Sequence, residues 1–552
     1  MRLSIRLTPL LIGAATAALL AQPAAAQTAP KRPNFLVIVA DDLGYSDIGA
    51  FGGEIDTPNL DAIATHGLRL TGFHTAPTCS PTRSMLLSGT DNHLAGLGTM
   101  AELIAPNQKG KPGHEGYLRP EVAALPELLS AGGYRTILSG KWHLGLEPAQ
   151  DPHARGFQRS FALLQGGHNH FGDGGVGGPQ SATYTEDGKV VKSLPKDFYS
   201  SDYFATRLID FLREGEKGKA KDKPFFAYLA FTAPHWPLQA PKADIAKYKG
   251  RYDAGFDVLR AQRLKRQAEL GLIDPATVAH LPVAKSGGWD SLTAEDKRSA
   301  SRDMEIYAAM VDRLDKDVGR VIDQLKKSGE YDNTVILFLA DNGAEGLDVA
   351  HTEMVGINKA ASAGDNSFDN RGSATSYLSY GPGWAQAATA PSWLYKAYAT
   401  EGGTRTVSFI SYKGFERTGI DKAFLSVADV TPTFLELAKV PNPEGLFQGR
   451  KVEPIRGKSW VSYLEGKADR VYSATDNFGT ELFGSRALRQ GDWKITDIGD
   501  GKWRLFNLAE DPGETRDLSL EQPARKTELV AAWDAYAKDV GVIIPDQKIY
   551  QP

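Results

Sequence analysis

Asn34-Phe35-Leu36-Val37-Ile38-Val39-Ala40-Asp41-Asp42 is a largely apolar run that stops abruptly at two adjacent carboxylates. A strand with one wet face alternates apolar and polar side chains, whereas a strand covered on both faces does not. The unbroken run therefore predicts a strand inside a parallel sheet, with helices on both faces. Thr57-Pro58-Asn59-Leu60-Asp61 then reads as a helix start, with Thr57 as N-cap and Pro58 at the first helical position. Leu60, Ile63 and Ala64 fall on one face of that helix.

The pattern recurs. A helix around Val122 to Leu129 precedes a strand at Tyr134–Gly140, which delivers Lys141-Trp142-His143. Pro224–Phe231 is a further strand, followed by Thr232-Ala233-Pro234-His235. Arg302–Leu325 carries Met310, Val311, Leu314, Val318, Val321, Ile322 and Leu325 at helical spacing. Thr334–Ala340 is another buried strand and ends in Asp341-Asn342-Gly343. The fold class expected is α/β, a large, mostly parallel sheet between helices. In such a sheet the carboxyl ends of the strands share one edge, where ligands bind. Asp41, Asp42, Lys141, His143, His235, Asp341 and Asn342 are thus expected to converge.

Residues 1–26 stand apart. Arg2 and Arg6 precede an apolar stretch from Leu10 to Leu20, and Ala24-Ala25-Ala26 offers a small-residue cleavage site, which together predict a secretory signal peptide. The expected destination is the periplasm or the medium, with no stable membrane association. From about Val440 the character changes again. Short strand candidates at Arg486–Arg489, Trp493–Ile495 and Trp503–Leu508 precede an amphipathic helix from about Gln522 to Lys538. The expected organisation is a main domain over 27–440 and a small α+β subdomain over 441–552.

The chain is 41% hydrophobic and 24% charged with a net charge of −4, without the basic excess of a nucleic-acid binder. Lys242–Ala300 is charged, and its Arg260–Arg266 helical piece reads as a solvated face. Gln165–Gly178 is Gly-rich with His168 and His170 and reads as a loop near the site; two histidines without a Cys partner are weak support for a metal there.

Thr78-Cys79-Ser80-Pro81-Thr82-Arg83 holds the chain's single cysteine, which cannot form an intrachain disulfide. Ser80 reads as an N-cap and Pro81 as the first helical residue, placing Cys79 at the positive end of a helix beside Arg83, where an anion belongs. Asp41, Asp42, Asp341 and Asn342 form an all-oxygen set whose carboxylates repel unless a cation neutralises them, which favours Ca²⁺ or Mg²⁺ over zinc.

Cys79-Ser80-Pro81-Thr82-Arg83, followed by Leu87-Ser88-Gly89, resembles the Cys-x-Pro-x-Arg signature of type I sulfatases. Asp41-Asp42-Leu43-Gly44, Gly140 to Gly145, Pro234-His235, Asp341-Asn342-Gly343, Lys396 with Glu401-Gly402-Gly403-Thr404-Arg405, and Leu505 to Glu514 follow in the order of a bacterial arylsulfatase. Thr406-Val407 departs from the Val-Pro usual there.

The resemblance implies an alkaline phosphatase-like fold and hydrolysis of aryl, or alkyl, sulfate monoesters. It implies that a formylglycine-generating enzyme oxidises Cys79 to formylglycine, whose hydrate is the nucleophile. Asp41, Asp42, Asp341 and Asn342 would hold one Ca²⁺, with Mg²⁺ chemically admissible. Arg83, Lys141 and Lys396 would offset charge on the sulfuryl oxygens, His235 would protonate the leaving alcohol, and His143 would act on the second hydroxyl of the hydrate. Phosphonate or phosphate monoester hydrolysis, known within the same superfamily, is the alternative activity.

Overall fold

The computed structural model describes residues 31–172, 182–218, 221–283 and 287–550. The expected signal peptide and the end of the Gly-rich loop lie outside the described residues. Ten strands form one sheet in the order Gly419–Asp421, Leu68–Leu70, Ser408–Ser411, Thr334–Ala340, Asn34–Ala40, Phe225–Ala230, Arg135–Lys141, Arg159–Leu163, Tyr184–Glu186, Lys189–Val190. The five from Thr334–Ala340 through Arg159–Leu163 are mutually parallel. The strands on either side join by antiparallel pairs, except that the edge strand Gly419–Asp421 runs parallel to Leu68–Leu70, so the sheet is mixed overall.

The apolar runs are continuous because alternate side chains enter two different cores. Leu36, Ile38 and Ala40 pack on one face with Ile336, Phe338 and the long helix Ala294–Ser328. Phe35, Val37 and Val39 pack on the other with Val335, Leu337 and the helices Cys79–Ser88, Leu125–Ala131 and Val430–Ala438. Fully burying an Ile, Leu or Phe is worth about 1.5–3 kcal/mol, so one polar substitution in these strands acts on a whole layer.

The four-stranded antiparallel sheet Asn477–Leu482, Ser485–Gln490, Trp493–Ile498, Arg504–Asn507 closes over Leu529 and Trp533 of the helix Pro523–Val540. Its first strand is not signalled by its own sequence, since Asn477-Phe478-Gly479-Thr480-Glu481 contains few of the β-branched residues that mark strands. Among the described residues, no helix is long and apolar enough to cross a membrane.

The Arg260–Arg266 segment lies within a helix at Phe256–Glu269 and is only in part a solvated face: Gln262, Lys265 and Arg266 are exposed, but the other two arginines are not. Arg260 and Arg263 are buried, and Arg263 pairs with Asp47 at 2.5 Å and Glu54 at 2.8 Å. Asp47 Oδ2 in turn accepts from Gly44 N at 2.7 Å and Tyr307 Oη at 2.6 Å, so this helix braces the turn that follows Asp41-Asp42. Composition is blind to such pairing because the partners lie more than 200 residues away in the chain.

Candidate active site

The register of the central strands decides where the chemistry falls. Ala40 pairs with Ala340, so Asp41 and Asp341 leave the sheet side by side, and Asp341 N donates to Ala40 O at 3.1 Å. Phe225–Ala230 flanks them on the other side and leads to His235, and the next strand ends on Lys141 itself. The Cys79–Ser88 helix points its first turn at this edge. Its N-cap is Thr78 rather than Ser80, and Pro81 sits inside the first turn. The first N–H groups of a helix have no intrahelical acceptor, so proline is tolerated there without marking the first residue.

Ligand atoms of Asp41, Asp42, Cys79 and Asp341 all lie within 4.8 Å of one another, and all four residues are buried. Cys79 Sγ donates to Asp41 Oδ1 at 3.3 Å. Lys141 Nζ donates to Asp41 Oδ2 at 2.5 Å. Arg83 donates twice to Asp341 Oδ2, from Nε at 3.0 Å and Nη2 at 2.7 Å. Lys396 Nζ lies 2.8 Å from Asp42 Oδ1 and 2.9 Å from Glu345 Oε2. Each carboxylate of the cluster thus has its own buried cation.

Lys396, which reads as a surface residue in isolation, is buried because its loop is pinned twice: its N–H donates to Ala344 O at 3.0 Å and that of Ala397 to Pro77 O at 2.8 Å. Gly343 makes the close approach feasible, since a Cβ there would meet Gly402 O at 1.9 Å. Asp42 and His143 hold φ values of 65° and 56°, a left-handed backbone that non-glycine residues adopt at a cost of about 1–3 kcal/mol.

The electrostatics are uneven. Burial alone would raise the Asp41 carboxyl, but Lys141, with His235 and Arg83, outweighs it and holds it well below the usual carboxylate range. Burial pushes Asp42 up to about 8, Lys396 opposing and Asp41 and Glu345 adding to the rise. Asp341 is also raised, by burial and then by Asp41. Burial and the Asp41 charge push the Cys79 thiol well above its ordinary value. Lys141 and Lys396 oppose this rise without cancelling it, so the unmodified thiol is a poor nucleophile at neutral pH.

The oxygen set fits a hard cation. Asn342 Nδ2 donates to Asp42 Oδ1 at 2.7 Å, while its buried Oδ1 has no partner among the described residues. That orphan acceptor, Asp41 Oδ1 and Asp341 Oδ1 are oxygens not taken up by the lysines and arginine. A divalent cation would satisfy the acceptor and relieve the repulsion that lifts Asp42 and Asp341.

His235 faces the cluster, with Nε2 3.6 Å from Asp42 Oδ2 and Nδ1 2.5 Å from Trp236 O. Burial, with Lys396, lowers its pKa to about 3, so the ring is neutral and Nδ1 carries the proton. His143 is oriented by Glu102: Nε2 lies 3.1 Å from Glu102 Oε1, and its buried Nδ1 has no partner among the described residues. The Gly-rich loop does border both, because a Cβ at Gly166 would meet His143 Cε1 at 2.6 Å and one at Gly167 would lie 3.6 Å from His235. His170 ties that loop down through Ser200 Oγ at 2.7 Å and His235 O at 3.0 Å, a structural use of the histidine.

Sequence reasoning missed Glu345 and Glu102. Glu345 lies three residues past Asn342 and its position after a strand on this edge was a usable signal; nothing local marks Glu102.

The family model described as "Sulfatase" matches residues 33–440. An uncharacterised sulfatase of Schizosaccharomyces pombe is 50% identical over 536 residues, covering 94% of this chain and 95% of that protein. An arylsulfatase of Klebsiella aerogenes is 41% identical over 435 residues, covering 78% of this chain and 91% of that protein. Among solved structures, Ps i-CgsB in complex with k-i-k-neocarrahexaose superposes with a TM-score of 0.66 at 23% identity, covering 94% and 96% of the two chains, which shows the shared fold.

Proposed function

The chain belongs to the sulfatase family and is a sulfuric ester hydrolase, and from that premise we propose that it cleaves aryl and alkyl sulfate monoesters with the group derived from Cys79 as nucleophile. The observation that carries this reading is the convergence of Cys79 with Asp41, Asp42 and Asp341 inside a ring of three buried cations. Oxidised to formylglycine and hydrated, residue 79 supplies a hydroxyl for attack on sulfur, where the buried thiol would be inert. Asp41, Asp42, Asp341 and Asn342 would hold a divalent cation, Ca²⁺ as the family resemblance implies, which would lower the pKa of such a hydroxyl and offset charge on the sulfuryl oxygens.

The remaining work falls to side chains already in place. Lys141 pairs with Asp41 and Lys396 with Asp42, and both offset the charge of a sulfuryl group bound beside them. Arg83, locked on Asp341, holds that carboxylate where it can accept a proton from the nucleophile. His235 turns Nε2 toward the cluster and, after taking up a proton there when the anionic substrate binds, gives it to the departing alcohol; His143, whose Nδ1 has no partner among the described residues, accepts the proton of the second hydroxyl when sulfate is expelled. Export through a signal peptide over residues 1–26, and maturation by a formylglycine-generating enzyme, belong to the same reading.

Purified protein given para-nitrophenyl sulfate and para-nitrophenyl phenylphosphonate in parallel tests it. The reading predicts a larger kcat/KM on the sulfate. A preference for the phosphonate assigns the alternative activity and overturns it.

A further inference from the structure

The segment after the helix Pro523–Val540 returns to the catalytic edge. Gln108 Nε2 donates to Ile543 O at 2.7 Å and Asn107 Nδ2 to Ile544 O at 2.8 Å, which fixes the path of the chain. Tyr550 then packs against the small apolar cluster of Leu347, Val349 and Ala361, beside Trp236. Its ring lies 5.5 Å from that of Phe483.

The phenol points inward. Tyr550 Oη donates to Glu345 Oε1 at 2.6 Å, and Leu347 N donates to the same oxygen at 2.8 Å. Oε2 of Glu345 is left to Lys396 Nζ at 2.9 Å, and Lys396 continues to Asp42 at 2.8 Å. Burial and Glu345 push the phenol pKa well above its ordinary value, so it donates at neutral pH.

Two donors on Oε1 draw charge away from Oε2 and weaken the hold of Glu345 on Lys396. An ammonium shared loosely between Asp42 and Glu345 can turn a donor to an incoming anion. One clamped by an undiluted carboxylate cannot do so as readily. We propose that Tyr550, acting through Glu345, is a positioning residue for Lys396 and so sets the affinity of the site for a sulfuryl group. This inference rests on the reading of Lys396 as a sulfuryl ligand.

The test is Tyr550→Phe, which removes only the hydroxyl, assayed for binding of inorganic sulfate by calorimetry and for hydrolysis of para-nitrophenyl sulfate. Sulfate should bind about tenfold more weakly, with KM raised more than kcat falls and the unfolding midpoint unchanged. In a Glu345→Gln background the same substitution should change sulfate binding by less than about twofold, because coupled residues are non-additive. Unchanged binding in the single variant, or an equal loss in both backgrounds, overturns the proposal. If Glu345→Gln does not fold, Tyr550→Leu replaces it: a loss common to the Phe and Leu variants supports the hydroxyl, and a loss confined to Leu assigns packing and overturns the proposal. A parent protein that cleaves no sulfate ester refutes the functional reading, while the sulfate-binding comparison still decides the role of Tyr550.

Discussion

Lys141 Nζ lies 2.5 Å from Asp41 Oδ2, and both side chains are fully buried. Removing one partner of a buried pair leaves an uncompensated charge, which typically costs about 3–5 kcal/mol. Lys141→Met should lower unfolding stability by about that amount in metal-free protein, and by less with a cation bound. Its kcat should fall by at least about a hundredfold, as for loss of one donor to a charge developing in the transition state. Denaturant titration with and without Ca²⁺, beside steady-state assays, checks both parts.

Metal removal should produce a pH-dependent loss of stability. Asp42, pushed up to about 8 without a cation, binds a proton in the folded state that the unfolded chain, at its ordinary value of 3.8, has released. The folded state holds more protons between those values, so this group's contribution is present below about pH 4 and is lost as pH rises toward 8. Asp41 is shifted the other way, and its contribution is lost only at acid pH. The stability gap between Ca²⁺-loaded and chelated protein should therefore widen from pH 6 to pH 8. A gap that narrows over that range contradicts the carboxylate cluster as the cation site.

His235 is neutral in the free site, with its pKa lowered to about 3, yet a general acid must carry a proton. An anionic sulfuryl group beside Lys396 and Lys141 removes part of the positive field that depresses it. Binding of inorganic sulfate near neutral pH should therefore take up protons, seen as a dependence of calorimetric heat on buffer ionisation enthalpy. His235→Ala should abolish the uptake. It should also slow an alkyl or weakly activated phenyl sulfate far more than a nitrophenyl sulfate, within the roughly 10²–10⁴ typical of general acid help.

Arg263 pairs with Asp47 and Glu54 behind the Asp41-Asp42 turn. Arg263→Met strands two carboxylates, one of them fully buried, and should cost about 3–5 kcal/mol in unfolding free energy. Asp47 would also lose its hold on Gly44 N, so kcat should fall although Arg263 touches no substrate.

Four of the five central parallel strands were legible because their apolar runs need both faces covered, and their ends fall within one residue of those expected; Arg159–Leu163 was not expected, since its short run opens on an arginine and a serine. The convergence of the candidate residues was legible as well: Asp41, Asp42, Asp341, Asn342, Lys141 and His235 are singled out by their places after strands, and Cys79 and Lys396 by motif resemblance, and the structure brings them together. Arg263 was misread because a buried guanidinium and an exposed one look alike in sequence until their partners are known. Tyr550 escaped because its contact with Glu345 spans 205 residues of chain, and Glu345 because its pairing with Lys396 joins two separate loops.

The proposed function has residue 79 act as formylglycine rather than as cysteine. Burial and the Asp41 charge raise the Cys79 thiol, which leaves little thiolate at neutral pH to attack a sulfate ester. The peptide spanning Cys79, from protein that hydrolyses para-nitrophenyl sulfate, should be lighter than its sequence mass by about 18 Da, the change from thiol to aldehyde. Cys79→Ser should fold with the same unfolding midpoint and show no turnover. An active preparation whose Cys79 peptide retains a free, alkylatable thiol throughout would contradict the account.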